Sequence, residues 1–216
     1  MNLLIIGAPG AGKGTVSNVI INDYQVVHVS TGDMLRTAIA NGTSVGIKAK
    51  EYMDKGQLVP DEIIHDIIVE RLSADDIKKG FLFDGYPRTE AQAIDLEKIM
   101  QETGLKIDAV IDLDIQDEVL IKRITGRRIC PACGEIYNIY FKPSKEEDKC
   151  DRCGAVLTHR NDDNRESLIT RLKEYHKNTQ PVIDYYEKMD LVTHIDADQN
   201  EKDVYSDVKS ILEGLK

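Results

Sequence analysis

Hydrophobic residues along the chain fall into two alternating kinds of run. Leu3 to Ile6, Val26 to Val29, Gly80 to Asp84, Ala109 to Leu113 and Leu191 to Ile195 are short and apolar-rich, the pattern of strands buried on both faces. Between them lie longer stretches with apolar residues three and four apart, the spacing of helices. The first carries Val16, Val19 and Ile20; the second, starting at Asp33, carries Met34, Leu35, Ala38 and Ile39. Ser30, Thr31 or Asp33 can each cap that second helix. Further helices are predicted over 45–53, 61–72, 90–100 and 116–124, with Gly56 and Pro60 breaking the chain after the third. One long helix carries Leu168, Ile169, Leu172 and Tyr175, and a last one covers 201–215. Five strands interleaved with helices predict an α/β fold, a parallel five-stranded sheet with helices on both faces. Residues 126–163 follow neither period and predict a small insertion.

The first strand runs into Gly7-Ala-Pro-Gly-Ala-Gly-Lys-Gly-Thr15 and then into a helix. Strand, glycine-rich turn and helix together form the context of a phosphate loop. Its glycines let backbone N–H groups curl around an anion, and the helix N-terminus adds partial positive charge. Lys13 supplies a full charge, and Thr15 offers a hydroxyl to magnesium. The strict G-x4-G-K-[ST] pattern is missed by one place, since Gly14 intervenes between Lys13 and Thr15. Ligands of such sheets sit beyond the carboxyl ends of the strands, where this loop lies.

Composition narrows the possibilities. The chain has 216 residues, 41% hydrophobic and 31% charged, enough for one good-sized core. A formal charge of −10 argues against nucleic acid or an anionic membrane as partner, so any phosphate must bind in a local basic pocket. No leader pattern or membrane-spanning run is visible, which makes the cytoplasm the expected location. All four cysteines lie within 24 residues, as Cys130-Pro-Ala-Cys133 and Cys150-Asp-Arg-Cys153. Two C-x-x-C knuckles at this separation predict a four-thiolate metal site. Four thiolates leave no open position, so the metal is structural, with zinc the first choice and rubredoxin-like iron the alternative. His159 is read as a surface histidine.

Of ten arginines, Arg36, Arg88, Arg123, Arg127, Arg160 and Arg171 follow predicted strand ends or flank the insertion. Guanidinium grips phosphate bidentately and stays charged. Asp84 ends a buried strand and suits a magnesium ion; Asp112 and Asp114 compete for that role on pattern alone.

These segments, with Ser30-Thr-Gly-Asp-Met-Leu-Arg36, Gly56-Gln-Leu-Val-Pro-Asp61, Phe83-Asp-Gly-Tyr-Pro-Arg-Thr89, Arg123-Ile-Thr-Gly-Arg-Arg128 and Arg160-Asn-Asp-Asp163, make the chain resemble a bacterial adenylate kinase of the long-lid, metal-containing type over essentially its whole length. The resemblance implies a P-loop NTPase type core (1–29, 60–125 and 164–216), an AMP-binding lobe (30–59) and a lid with the metal site (126–163). It implies reversible phosphoryl transfer from MgATP to AMP, with Lys13, Asp84, Arg88, Arg123, Arg127, Arg160 and Arg171 as the catalytic set. ATP would lie on Gly10, Ala11, Gly12, Lys13, Gly14 and Thr15, with Arg127, Ile136 and Tyr137, and with Gln199 near the adenine through its backbone. AMP would lie against Thr31, Arg36, Gln57, Leu58, Val59, Gly85, Tyr86, Pro87, Arg88 and Gln92, with Arg160 and Arg171 reaching the transferring phosphates. It supplies no obligate partner, so a monomer is expected. Val16 stands where the family usually has glutamine, and Arg165-Glu-Ser167 is looser than the family's acidic run. The nearest rival is a kinase acting on UMP or CMP, or using GTP; a switch-type GTPase would need an Asn-Lys-x-Asp segment, which does not occur.

Overall fold

A computed structural model describes residues 1–215. Five parallel strands, β1 (Asn2–Gly7), β2 (Val27–Ser30), β3 (Phe81–Asp84), β4 (Ala109–Asp114) and the last, Val192–Asp196, form one sheet, in which β1 is flanked by β3 and β4, with β2 and the last strand outermost. The chain leaves β1 for one side of the sheet and later crosses to the other, so the loop after β1 sits at a topological switch point. Alternate residues of the strands face opposite cores. Leu4, Ile6, Val29, Phe81, Phe83 and Val110 pack with α4 (Asp61–Leu72) and α5 (Glu90–Thr103). Leu3, Ile5, Leu82, Ile111 and Leu113 pack with α1 (Lys13–Tyr24). The central strand has no polar face because it has no solvent face.

The predicted elements form, with shifted ends. The second strand begins one residue late, and α2 (Thr31–Ala40) begins at Thr31 rather than Asp33. Ser30 is the cap, its Oγ accepting from Asp33 N at 3.3 Å, and this leaves the Thr31 hydroxyl free to donate to Gly85 O at 2.9 Å. α3 (Ser44–Met53) and α6 (Asp117–Thr125) match their periodicity. A single-turn helix over Asp75–Lys79 is too short to show a period.

The insertion is not irregular throughout: β5 (Arg127–Ile129) and β6 (Ile136–Asn138) pair antiparallel. The one long helix predicted beyond it is two. α7 (Arg165–Glu174) opens into a π turn at Tyr175–Thr179, where Gln180 N bonds Tyr175 O, before α8 (Gln180–Glu187). Pro181 lacks the N–H that would continue the regular ladder there. Leu168 of α7 then joins a small cluster with Ala8, Leu120 and Ile124, while Val182, Ile183 and Tyr186 of α8 join the main core. The last strand is β7, and α9 (Glu201–Gly214) covers the α1 side with Val204, Val208 and Leu212.

α2 and α3 cross closely because Gly46 has no side chain: a methyl there would stand 2.2 Å from Ala38 O. Backbone on both sides cannot yield cheaply. Gly46→Ala is expected to cost about 2 kcal/mol, lowering the melting temperature by roughly 4–8 °C in a thermal unfolding scan. An unchanged melting curve would show that α3 can move off α2 freely.

Candidate active site and metal centre

The site forms where β1 ends. Gly12, with φ of 108°, leads into α1 in a left-handed conformation that a side chain resists, and Ala11 N donates back to Ala8 O at 3.0 Å. The first turn of α1, with Gly14 and Thr15, therefore faces the space beyond the strand ends. Lys13 folds over this loop, its Nζ donating to Gly7 O at 2.6 Å and Ala8 O at 3.0 Å. Burial pushes its pKa down to about 8; Asp84 opposes the shift, and Arg88, Arg171 and Arg127 add to it.

Asp84 ends β3 beside this lysine. Burial pushes its carboxyl up, but His28, with Nε2 3.6 Å from Oδ2, and Lys13 outweigh that and hold it below the usual carboxylate range. On β4, Asp112 is bound to His194 Nδ1 at 2.9 Å and raised by burial, and Asp114 is exposed. Asp84 is thus the strand-end carboxylate kept ionised next to the loop. Its oxygens and the Thr15 hydroxyl are hard donors of the kind magnesium takes.

Five of the six singled-out arginines converge. Arg36 of α2, Arg88 after β3, Arg127 of β5, Arg160 at the end of the insertion and Arg171 of α7 lie within electrostatic reach of one another. Burial pushes Arg160 and Arg171 each down to about 10, with neighbouring guanidiniums adding to the shift. Their counter-charges are Asp33, 2.5 Å from Arg36 and 3.4 Å from Arg160, and Asp162, 3.0 Å from Arg171. Asp163, fully buried, forms a two-pronged pair with Arg127 and lies 3.8 Å from Arg171. Arg123 stands apart, clamping Ala11 O at 3.2 Å and Ala197 O at 2.8 Å.

Beside the arginines opens a pocket lined by Thr31, Arg36, Gln57, Leu58, Val59, Gly85, Tyr86, Arg88, Gln92 and Arg171, with Leu35, Met53 and Ile64 as apolar wall. Arg88 Nε donates to Gly85 O at 2.7 Å, and the Arg88 carbonyl accepts from Thr179 of the π turn at 3.0 Å. Pro87 and Arg160 are not in this lining. Tyr86 is buried on Phe83, so it shapes the floor more than it reaches in. Asp33, Asp162, Asp163 and Thr179 join the arginines as partners that sequence pattern does not single out. Two acids so soon after Arg160 were the available signal; Thr179 had none.

In the lid, the four Sγ atoms lie within 4.8 Å of one another, with Cys130–Cys153 at 3.4 Å and Cys133 at 3.6 Å from both Cys150 and Cys153. Four thiolates around a tetrahedral ion at ~2.3 Å stand about 3.8 Å apart, so the donors fit a zinc-sized ion and no pair is at disulfide distance. The two knuckles are copies: Gly134 N and Gly154 N bond Cys130 O and Cys150 O, and both glycines have φ of 76°. The Tyr137 side chain is buried here, its hydroxyl accepting from Asp151 N at 2.8 Å and lying 3.5 Å from Cys150 Sγ, so the side chain is taken up by the cysteine cluster. Ile136 faces the phosphate loop: a methyl on Gly14 would lie 3.2 Å from its Cδ1. The Gln199 side chain turns away to Asp207 at 2.6 Å.

A family model described as adenylate kinase matches residues 5–191. The chain belongs to the adenylate kinase family. It is 48% identical over 216 residues to an adenylate kinase from Geobacillus sp. (strain WCH70) and to one from Bacillus subtilis (strain 168), and 47% identical to one from Archaeoglobus fulgidus, in each case across the whole of both chains. Its function is therefore that of an adenylate kinase, a nucleoside monophosphate kinase whose substrates are ATP, AMP and ADP. No helix among the described residues is long and apolar enough to cross a membrane.

The depressed Lys13 has a measurable consequence for this kinase. Between about pH 8 and 10.5 the folded chain holds fewer protons at Lys13 than the unfolded chain, so this group's contribution to stability rises with pH in that window. Triphosphate beside Lys13 would reverse the shift, and ATP binding should then draw a proton from solution. At pH 8.5 an uptake of roughly 0.7 proton per ATP is expected from calorimetry in buffers of different ionisation enthalpy, and none with Lys13→Met. Absence of uptake in the unaltered protein would place bound ATP away from Lys13.

Proposed function

We propose that the cleft holds two nucleotides end to end, ATP on the phosphate loop and AMP in the adjoining pocket. The chain then divides into a core (1–29, 60–125 and 164–216), an AMP-binding lobe (30–59) and a lid (126–163). One observation carries this reading: Lys13 and five arginines share the cleft, and the acids paired with them, Asp33, Asp84, Asp162 and Asp163, are fewer. Such a surplus of partly buried cations is costly unless anions enter.

On this reading ATP lies along Gly10 to Thr15, beside Arg123 and Arg127, under Ile136 and the Tyr137 backbone, with the Gln199 backbone near its adenine. The AMP phosphate meets Arg36 and Arg88, and the rest of AMP lies against Thr31, Gln57 to Val59, Gly85 and Gln92, over the floor made by Tyr86. Arg160 and Arg171 reach the transferring group from the far side. Magnesium, held through Thr15 and Asp84, supplies neutralisation of phosphate charge when it is bound with the nucleotide. The transition state is loose, so the protein need form no covalent intermediate. Its residues align the AMP oxygen with the γ-phosphorus and meet the spread negative charge with Lys13 and the guanidiniums. The lid excludes the water that would otherwise take the phosphoryl group. The net charge of −10 disfavours nucleic acid or an anionic membrane as partner, and small anions are met instead in the local basic cleft; we read the chain as a monomer in the cytoplasm.

The test is chromatographic analysis after mixing the protein and MgATP with AMP, CMP, UMP or GMP in turn. Rapid ADP formation with AMP alone is expected; transfer favouring CMP or UMP would overturn the acceptor while keeping the arginine roles.

The metal has a different task. The lid buries only a small apolar cluster around Tyr137 and Leu157, too little to hold itself together, and four thiolates on one ion replace that missing core. Zinc is the ion we assign. Cys130→Ser is expected to lower the melting temperature by about 5–10 °C while leaving turnover at 20 °C much less affected. Turnover at 20 °C falling in step with stability would give the metal a part in the reaction.

A further inference from the structure

We propose that Asp61 sets the base preference of the AMP pocket by fixing which way the Gln92 carboxamide points; the proposal rests on the assignment of that pocket to AMP. Gln92 stands in the first turn of α5, 6% exposed, and lines the pocket together with the apolar Leu35, Val59 and Ile64. Both ends of its carboxamide are engaged by the protein. Oε1 accepts from Arg88 N at 2.7 Å, and Nε2 donates to Asp61 Oδ1 at 2.5 Å.

These two partners are one-sided. A backbone N–H only donates, and a carboxylate only accepts. Turning the amide over would set N–H against N–H at Arg88 and oxygen against oxygen at Asp61, so the network itself fixes the assignment of oxygen and nitrogen. Asp61 is in turn held at the first position of α4, with the Thr89 hydroxyl donating to its Oδ2 at 3.4 Å, and Thr89 caps α5 by accepting from Gln92 N at 3.1 Å. The locked amide keeps one N–H and one oxygen lone pair unspent.

A donor beside an acceptor, in fixed order, is a reader of purine edges. Adenine offers an accepting N1 beside a donating 6-amino group and matches it. Hypoxanthine has nearly the same shape, but its N1 carries hydrogen and its 6-position is a carbonyl, so both contacts become mismatched. Sites built on such hydrogen bonds reject mismatched analogues far more strongly than apolar pockets do. An amide free to turn would accept either base. Asp61 is therefore a positioning residue, and its effect should be on the choice between bases rather than on transfer itself.

The experiment compares kcat/KM for AMP and for inosine monophosphate in the unaltered protein, Asp61→Asn and Asp61→Ala. Asparagine keeps the shape of Asp61 but can offer either oxygen or nitrogen, so only Arg88 N–H still opposes the turned amide. The unaltered protein should favour AMP strongly. Both variants should narrow that preference about tenfold, with the gain seen as a lower KM for inosine monophosphate. A merely structural role would lower both substrates alike and leave the ratio unmoved; that result in Asp61→Asn overturns the proposal whether or not Asp61→Ala folds. An unaltered protein that does not prefer AMP over inosine monophosphate would overturn the pocket's assignment, and the proposal with it.

Discussion

Keeping six positive side chains in one cleft is the constraint around which this molecule is built. Guanidiniums do not shed their charge at working pH, so their repulsion has to be balanced by structure. Part of the balance is local: Asp33, Asp162 and Asp163 each take one or two arginines, and the buried Asp163 ties Arg127 in a two-pronged pair. The remainder is mechanical. Lys13 is pinned to the end of β1 through Gly7 and Ala8, Arg88 to Gly85, and Arg123 to two carbonyls from different segments. A sheet whose central strand is wholly buried supplies the rigidity against which these side chains are held. The unbalanced charge is what the proposed function assigns to phosphate.

Much of the fold was legible because each face of the sheet is covered. Strands buried on both sides must be apolar throughout, so Leu3 to Ile6 and Phe81 to Phe83 announce themselves without alternation. What was hidden needed contacts distant in sequence. Leu168, Leu172, Tyr175, Thr179, Val182 and Tyr186 make one continuous helical stripe in the sequence, yet Leu168 and Tyr186 serve different clusters. The lid hairpin is hidden for another reason: three-residue strands are shorter than any period that could reveal them.

The candidate site divides in the same way. Lys13 could be picked out because a lysine in a glycine-rich turn between strand and helix has few alternative uses, whereas Asp84 shares its strand-end pattern with Asp112 and Asp114, and the arginines stand out only as a group. The acids that hold the arginines do not stand out, since aspartate beside a helix start reads equally well as a cap, as Asp33 does beside Ser30. Asp112 shows the converse: it ends a buried strand as Asp84 does, but the structure gives it to His194. Pattern proposes carboxylates; only neighbours distinguish them.

The π turn between α7 and α8 has a further meaning. Arg171 lies on the helix before it, and Thr179 within it holds the carbonyl of Arg88. An added residue in a helix rotates everything beyond it by about 100°. The wide turn therefore sets the angular offset between a guanidinium that reaches into the cleft from α7 and the backbone that carries the guanidinium facing it. Two charges far apart in sequence are indexed to each other by the width of a single turn, which adds helix geometry to the hold that the sheet already has on Arg88 through β3.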